Sequence, residues 1–258
     1  MTVSIKVNST QKINKIGKWY LSNKKERLQG SDAQIFDAAH LDQQAIIKLP
    51  QAKSSSFLAF DRELRALNKM KGIPNVVNLL DSGNDPILKL PYIIIEDGGS
   101  TIADKLWLEG WAPTFSEIKS ILELMKQSLD KAHEMGFVHG DIKAANICYS
   151  KGQVNLIDWG NSYEIGEKRH IGALAHHQPP YPYWTEATDI YGLAVLAFQM
   201  LFHGEFLEFL VSKDRCLITP RRKLNTSKVE DFLKTICLIT DWSKCPSWDN
   251  GGLLWTIN

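Results

Sequence analysis

The period of the hydrophobic pattern changes once along this chain, at Asp97–Ser100 (DGGS), and that change constrains the fold more than any single motif. Upstream come short apolar or β-branched runs, AQIFDAAHL, QAIIKL, VVNLLDSG and YIIIED, each bounded by Gly, Asn, Asp or Pro as strands are. One helical run interrupts them, FLAFDRELRALNKMKG, with Leu64, Leu67 and Met70 on one side and Gly72 as a stop. Lys53–Ser56 (KSSS) reads as a polar loop leading into it. Downstream the period becomes helical. In PTFSEIKSILELMKQSLDKAHEMG, Thr114 and Glu117 form a capping box behind Pro113, and Gly136 closes the helix. Ile118, Ile121, Leu122, Met125 and Leu129 fall on one stripe between them. TDIYGLAVLAFQML and SKVEDFLKTICLI extend the helical pattern. The expected class is α+β, a small strand-rich lobe followed by a larger helical lobe, with the paired glycines at the junction as a hinge.

With 258 residues and 44% hydrophobic content the chain can build two such lobes around a cleft. Lys and Arg (30) nearly balance Asp and Glu (29), so bulk charge favours neither a nucleic-acid nor a membrane partner, and none is expected. Cys148, Cys216, Cys237 and Cys245 are scattered without a C-x-x-C pair, which argues against a zinc site or a disulfide framework and for a reducing compartment. The polar, basic N-terminus lacks the apolar run of a signal peptide. The longest apolar stretch, IYGLAVLAFQMLF, is far shorter than the ~20 residues a membrane-spanning helix needs. The expectation is a soluble, cytoplasmic protein, with export by a route that uses no cleaved signal left open.

The chemistry-bearing residues come in a fixed order. Lys48 ends the buried-strand tetrapeptide AIIK, and Glu63 in the next helix offers it a partner; such a pair would hold the ammonium toward a polyphosphate. In VHGDIKAANICY, the Asp141 carboxylate can accept a hydroxyl proton or orient a nucleophile. Lys143 can neutralise a transferring phosphoryl group, and Asn146 supplies a hard oxygen for magnesium. VNLIDWG then ends a strand in Asp158, a second hard oxygen ligand, before Gly160.

In this order and spacing the chain resembles the protein-kinase superfamily, in its bacterial or eukaryotic-like Ser/Thr form, from about Lys18 to about Met200. HGDIKAAN is similar to the catalytic loop, DWG to the metal motif, and TDIYGLAV to the start of the central helix. The resemblance implies a two-lobed kinase-like fold within 1–258. It would have an N-terminal extension (1–17), a small antiparallel sheet lobe with one helix (18–96), and a shortened, mainly helical lobe (97–258). It also implies Asp141 and Lys143 as catalytic residues, Asn146 and Asp158 as ligands of Mg2+, and an ATP site built from Gly30, Ile35, Lys48, Glu63, Cys148 and the backbone of Glu96 and Gly98. Asp189 takes the place of the residue that braces the catalytic loop, and Leu67, His139 and Trp159 fall on the family's regulatory spine.

Several positions depart from the family pattern. The three loop glycines fall on Leu28, Gly30 and Ala33, and only Gly30 keeps the freedom that lets backbone N–H groups approach phosphate. Ile46 replaces a small alanine above the adenine. GALAHHQPP stands where the family has G-T-x-x-Y-x-A-P-E, with Ala173 at the threonine and Pro180 at the glutamate. Gly140 replaces the arginine that receives an activation-loop phosphate in many kinases, so the loop need not wait for phosphorylation. The resemblance implies an ATP- and Mg-dependent Ser/Thr kinase acting on a protein hydroxyl of unknown identity, with autophosphorylation at residues such as Ser162 and Tyr163. HGD is also the spelling of aminoglycoside- and choline-kinase-like enzymes, and a pseudokinase scaffold is the third alternative.

Overall fold

The computed structural model describes residues 5–6, 12–21, 33–51, 53–169, 183–201, 207–211, 215–220, 247–249 and 252–256. Gly30, the GALAHHQPP segment and SKVEDFLKTICLI lie outside the described residues. The chain divides into two units. The first comprises Met1–Gly72, Val77–Gly98 and Asp158–Asn161; the second comprises Ile73–Val76, Gly99–Ile157 and Ser162–Asn258.

In the first unit, β1 (Ile5–Lys6) and β2 (Lys12–Ile13) form a small antiparallel pair. A six-stranded antiparallel sheet follows, built from β3 (Lys15–Ile16), β4 (Trp19–Leu21), β5 (Ala33–His40), β6 (Gln43–Pro50), β7 (Leu79–Asp85) and β8 (Leu90–Glu96) in the order β3-β4-β5-β6-β8-β7. The sheet thus begins at Lys15, slightly before the boundary expected at Lys18. Alternation along the strands separates two faces. Ile16, Trp19, Leu21, Phe36, Ala38, Ala45, Ile47, Leu49 and Ile94 make one core cluster. On the opposite face β5 and β6 bring Ile35 level with Lys48 and Asp37 level with Ile46.

Helix α1 spans Ser54–Lys69, so it begins inside the serine run that reads as a loop. Lys53 is its extended N-cap residue, without a side-chain cap. Its buried residues are Ser56, Phe60, Glu63, Ala66 and Leu67, with Met70 buried just beyond. A carboxylate therefore sits in the middle of an apolar stripe, and burial of that kind is tolerated only beside a cation.

The second unit contains α2 (Ile102–Trp107) and α3 (Phe115–Glu134). The α3 capping box forms as the sequence predicts: Glu117 N–H donates to Thr114 Oγ1 at 3.2 Å, and Thr114 N–H to Glu117 Oε2 at 2.7 Å. These bonds to the carboxylate hold Glu117 below the usual range of its kind. The five stripe residues are buried, and Gly136 takes the left-handed φ of +82° that ends the helix. Next come β9 (Phe137–Val138), a 3-10 turn over Ala144–Asn146, β10 (Ile147–Ser150), β11 (Gln153–Leu156) and β12 (Tyr163–Glu164). β10 pairs with β11, and β12 with β9, both antiparallel. Helix α4 (Glu186–Leu201) is buried on almost every side, as its continuous apolar run requires. Among the described residues no helix is long and apolar enough to cross a membrane.

After α4 the described segments are strands. β13 (Leu207–Val211), β14 (Arg215–Pro220), β15 (Ser247–Asp249) and β16 (Gly252–Thr256) form an antiparallel sheet in the order β13-β14-β16-β15. The larger unit therefore carries a sheet that the helical reading of its sequence did not anticipate.

Candidate active site

Lys48, Glu63 and Asp158 meet within the first unit. Lys48 Nζ donates to Glu63 Oε1 and Oε2 at 2.6 and 2.7 Å, and to Asp158 Oδ1 at 3.1 Å. Lys48 and Glu63 are 5% and 3% exposed, whereas the Asp158 side chain is 45% exposed. Burial favours the neutral form of Lys48, but two facing carboxylates, Asp158 and Glu63, outweigh it and hold the ammonium above the ordinary lysine range. Burial also drives Glu63 upward. One cation opposes that shift and the neighbouring Asp158 carboxylate reinforces it, so Glu63 remains above the usual carboxylate value.

Asp158 adopts φ +63°, which turns the chain into a short 3-10 segment, Trp159–Asn161, packed on α1. A Cβ at Gly160 would lie 3.4 Å from the Ala59 carbonyl oxygen, and Arg62 Nη1 donates to Gly160 O at 3.4 Å. The cross-strand neighbour of Lys48 is Ile35. At the end of β8, Glu96 is tied to Asn78. Its carboxylate accepts from Asn78 N and Nδ2 at 3.0 Å each, and its own N–H donates to Asn78 O at 3.1 Å. With the amide spent, its carbonyl is the backbone group suited to a nucleobase edge; Gly98 follows two residues on. Gly30 falls outside the described residues.

Asp141, Lys143 and Asn146 come together within the second unit, on the loop between β9 and β10. Asp141 is 4% exposed. Its Oδ2 accepts from Lys143 Nζ at 2.7 Å and from Asn146 Nδ2 at 3.0 Å. Asn146 Nδ2 also donates to the Asp141 carbonyl at 2.8 Å. That use of the amide nitrogen makes the side-chain oxygen of Asn146 the atom suited to a cation. His139 reports its own tautomer. Asp141 N–H donates to Nδ1 at 3.2 Å, so Nδ1 accepts and Nε2–H donates to Ile157 O at 3.1 Å. Cys148 is buried in β10, bridged to Thr101 and level with Asn155.

Asp189, in the first turn of α4, braces this loop. Its Oδ2 accepts from His139 N at 2.9 Å and its Oδ1 from Gly140 N at 2.8 Å. Gly140 sits at φ +76°, where a side chain would be strained, so the glycine of HGD suits the corner it turns. His133 Nε2 lies 2.9 Å from Asp189 Oδ2. Sequence reasoning missed His133, although its place four residues after Leu129 puts it on the buried stripe of α3.

A family model described as the protein kinase domain matches residues 26–234. The chain belongs to the protein kinase family. It is 27% identical over 184 residues to a probable serine/threonine-protein kinase of Dictyostelium discoideum, a match covering 69% of this chain and 30% of that protein. The chain thus spans under a third of the relative's length. Within this kinase domain, Ser162 is 7% exposed and Tyr163 is stacked on Trp184 at 4.3 Å between ring centroids. Burial therefore leaves the Ser162 hydroxyl poorly placed as an acceptor, contrary to the expectation from its position just past DWG. Among the described residues no group of three or more His, Cys, Asp or Glu could hold a metal by itself. The Asn146 side-chain oxygen in the second unit and the Asp158 carboxylate in the first are each, taken singly, of the oxygen type that magnesium takes.

Proposed function

We propose that this chain is an ATP- and Mg-dependent serine/threonine protein kinase that transfers the γ-phosphoryl group to a protein hydroxyl, its own included. The observation that carries this reading is the Asp141 carboxylate held by both Lys143 and Asn146. A carboxylate so fixed orients an attacking hydroxyl and takes its proton as the new O–P bond forms and ADP leaves. Lys143, 2.7 Å away, is placed to offset charge on the phosphoryl oxygens. Lys48, kept cationic by two carboxylates, is suited to the nucleotide's phosphates, with Ile35, Cys148, Gly30 and the backbone of Glu96 and Gly98 as the remaining ATP contacts. Asn146 and Asp158 would hold Mg2+, which supplies charge neutralisation between the phosphates. Gly140 offers no charge to a loop phosphate, and this supports activity that is independent of loop phosphorylation.

The test is incubation with Mg-ATP followed by mass spectrometry, comparing wild type with Asp141→Ala. Expected are phosphoserine or phosphothreonine on the wild-type chain and loss of at least about 100-fold in rate in the variant. Equal, near-background rates for the two would remove the catalytic reading. Faster turnover of a small molecule from a metabolite panel than of any protein would replace the acceptor class.

A further inference from the structure

The loop that carries Asp141 is held from two sides, and the two holds are joined to each other. On the strand side, β9 runs straight into His139, Gly140 and Asp141. β12 pairs with it, Tyr163 level with Val138 and Glu164 with Phe137, and Ile165 N–H donates to Gly136 O at 2.9 Å. On the helix side, Asp189 of α4 accepts from the His139 and Gly140 amides at 2.9 and 2.8 Å. All of these residues belong to the second unit.

Trp184 joins the two holds. It lies two residues before α4 begins and five before Asp189. Its ring stacks on Tyr163 with 4.3 Å between centroids and 6° between planes. Its main chain meets the same arm: Gly166 N–H donates to Trp184 O at 2.8 Å, and Trp184 N–H to Glu167 O at 2.9 Å. The helix entry that follows is pinned by Thr185 N–H donating to Thr188 Oγ1 at 3.3 Å and Thr188 N–H to Thr185 O at 2.8 Å. Trp184 is 7% exposed, and the Arg169 guanidinium lies 4.3 Å from the centroid of the same indole, so the ring has little room to shift. A closed circuit results. Main chain links Val138 to Tyr163, ring stacking links Tyr163 to Trp184, the first turn of α4 links Trp184 to Asp189, and Asp189 returns to His139 and Gly140.

The geometry points to the Tyr163–Trp184 stack as the tie that sets where Asp189 stands against β9, and so fixes the corner that presents Asp141. This deepens the protein-kinase reading above and rests on it. Tyr163 and Trp184 are positioning residues: they act through Asp189 and β9, not on the reacting atoms. Asp141 follows Gly140 directly, so a shift of the Gly140 amide moves the carboxylate that would orient the hydroxyl. Misplacement there slows transfer and leaves the contacts of Lys48 untouched. Tyr163→Phe and Trp184→Phe keep a ring face on each side, whereas Tyr163→Ala and Trp184→Ala remove one.

The experiment uses the full chain with Mg-ATP and myelin basic protein as the acceptor probe. Tyr163→Ala and Trp184→Ala should lower kcat by about tenfold while KM for ATP stays within about twofold, and the phenylalanine variants should recover most of the rate. Tyr163 is only half-buried, so its alanine variant serves where Trp184→Ala does not fold. Hydrogen exchange read residue by residue should show the His139 and Gly140 amides about tenfold faster in the alanine variants, measured relative to Leu122 and Met125 in α3, and near wild type in the phenylalanine variants. The route through Asp189 is tested by a double-mutant cycle: in an Asp189→Asn background, Tyr163→Ala should lower kcat by less than about twofold. A full tenfold loss in that background, or His139 and Gly140 protection in Tyr163→Ala equal to wild type, overturns the tie. A wild type that transfers phosphate to nothing overturns the kinase reading instead, and the exchange measurement then decides the tie by itself.

Discussion

Replacing Glu63 by glutamine keeps the side-chain volume and removes one charge from the Lys48–Glu63–Asp158 cluster. Both Glu63 oxygens accept from Lys48 Nζ, at 2.6 and 2.7 Å, and the pair is almost fully buried. Removing one partner of a buried pair costs about 3–5 kcal/mol when the other charge is left alone. Lys48 is not left alone, since Asp158 stays at 3.1 Å, but that carboxylate is nearly half exposed and its attraction is screened. With Lys48 held by that screened carboxylate alone, its hold on the phosphates in the transition state is expected to weaken by about 2–3 kcal/mol, or roughly 30- to 160-fold in kcat/KM for ATP. The pH dependence is more specific still. Glu63 titrates above its ordinary 4.5 because of burial, with Asp158 adding to the shift and Lys48 opposing it. As pH falls through that raised value Glu63 is protonated and the pair is lost, so the wild-type rate should drop there and the Glu63→Gln rate should not. Stability runs the other way. A raised folded-state pKa contributes stability below the unfolded value that is lost as pH rises through the folded one. Acidification should thus raise the urea midpoint of the wild type relative to that of Glu63→Gln, while the wild-type rate falls. Steady-state kinetics from pH 4.5 to 8, with urea midpoints at each pH, measure both. A variant within twofold of wild type in kcat/KM, or one that shares its acid limb, would refute the reasoning.

Two further substitutions probe the brace. Asp189→Asn leaves one acceptor oxygen for two buried amides and an imidazole, and should cost about 2–4 kcal/mol in urea unfolding together with a lower kcat; unchanged stability would mean the three hydrogen bonds carry no net energy. Gly192→Ala places a Cβ 2.6 Å from Ile142 Cβ and 2.9 Å from its carbonyl, beside Asp141. About 1–3 kcal/mol of destabilisation is expected, with kcat for phosphoryl transfer falling more than KM for ATP rises.

What was legible beforehand follows from which interactions obey spacing rules. The α3 cap and stripe were readable because capping and helical packing have fixed periods, and β5, β6, α1 and the β9–β11 region because their motifs occur in order. The start of α1 at Ser54 is not legible, because serine suits a loop, a cap or a first turn nearly equally. The last sheet was not foreseen, since short apolar runs are ambiguous between strand and buried helix. His133 is one polar residue on an apolar stripe, and nothing in its spacing points to Asp189. The Tyr163–Trp184 stack leaves no trace in spacing at all, since stacking imposes no interval on the chain.

Asp158–Asn161 groups with the first unit, although Ile157 before it and Ser162 after it group with the second. Neither unit is therefore a continuous piece of chain. A fragment ending at Gly98 would lack the second carboxylate that faces Lys48, and one beginning at Gly99 would carry an Asp158 without its lysine. Dissection at the most obvious boundary divides the ion cluster itself, so halves expressed separately must reassociate before Lys48 recovers Asp158, its second carboxylate. Complementation between such halves would report on that cluster as directly as a substitution does.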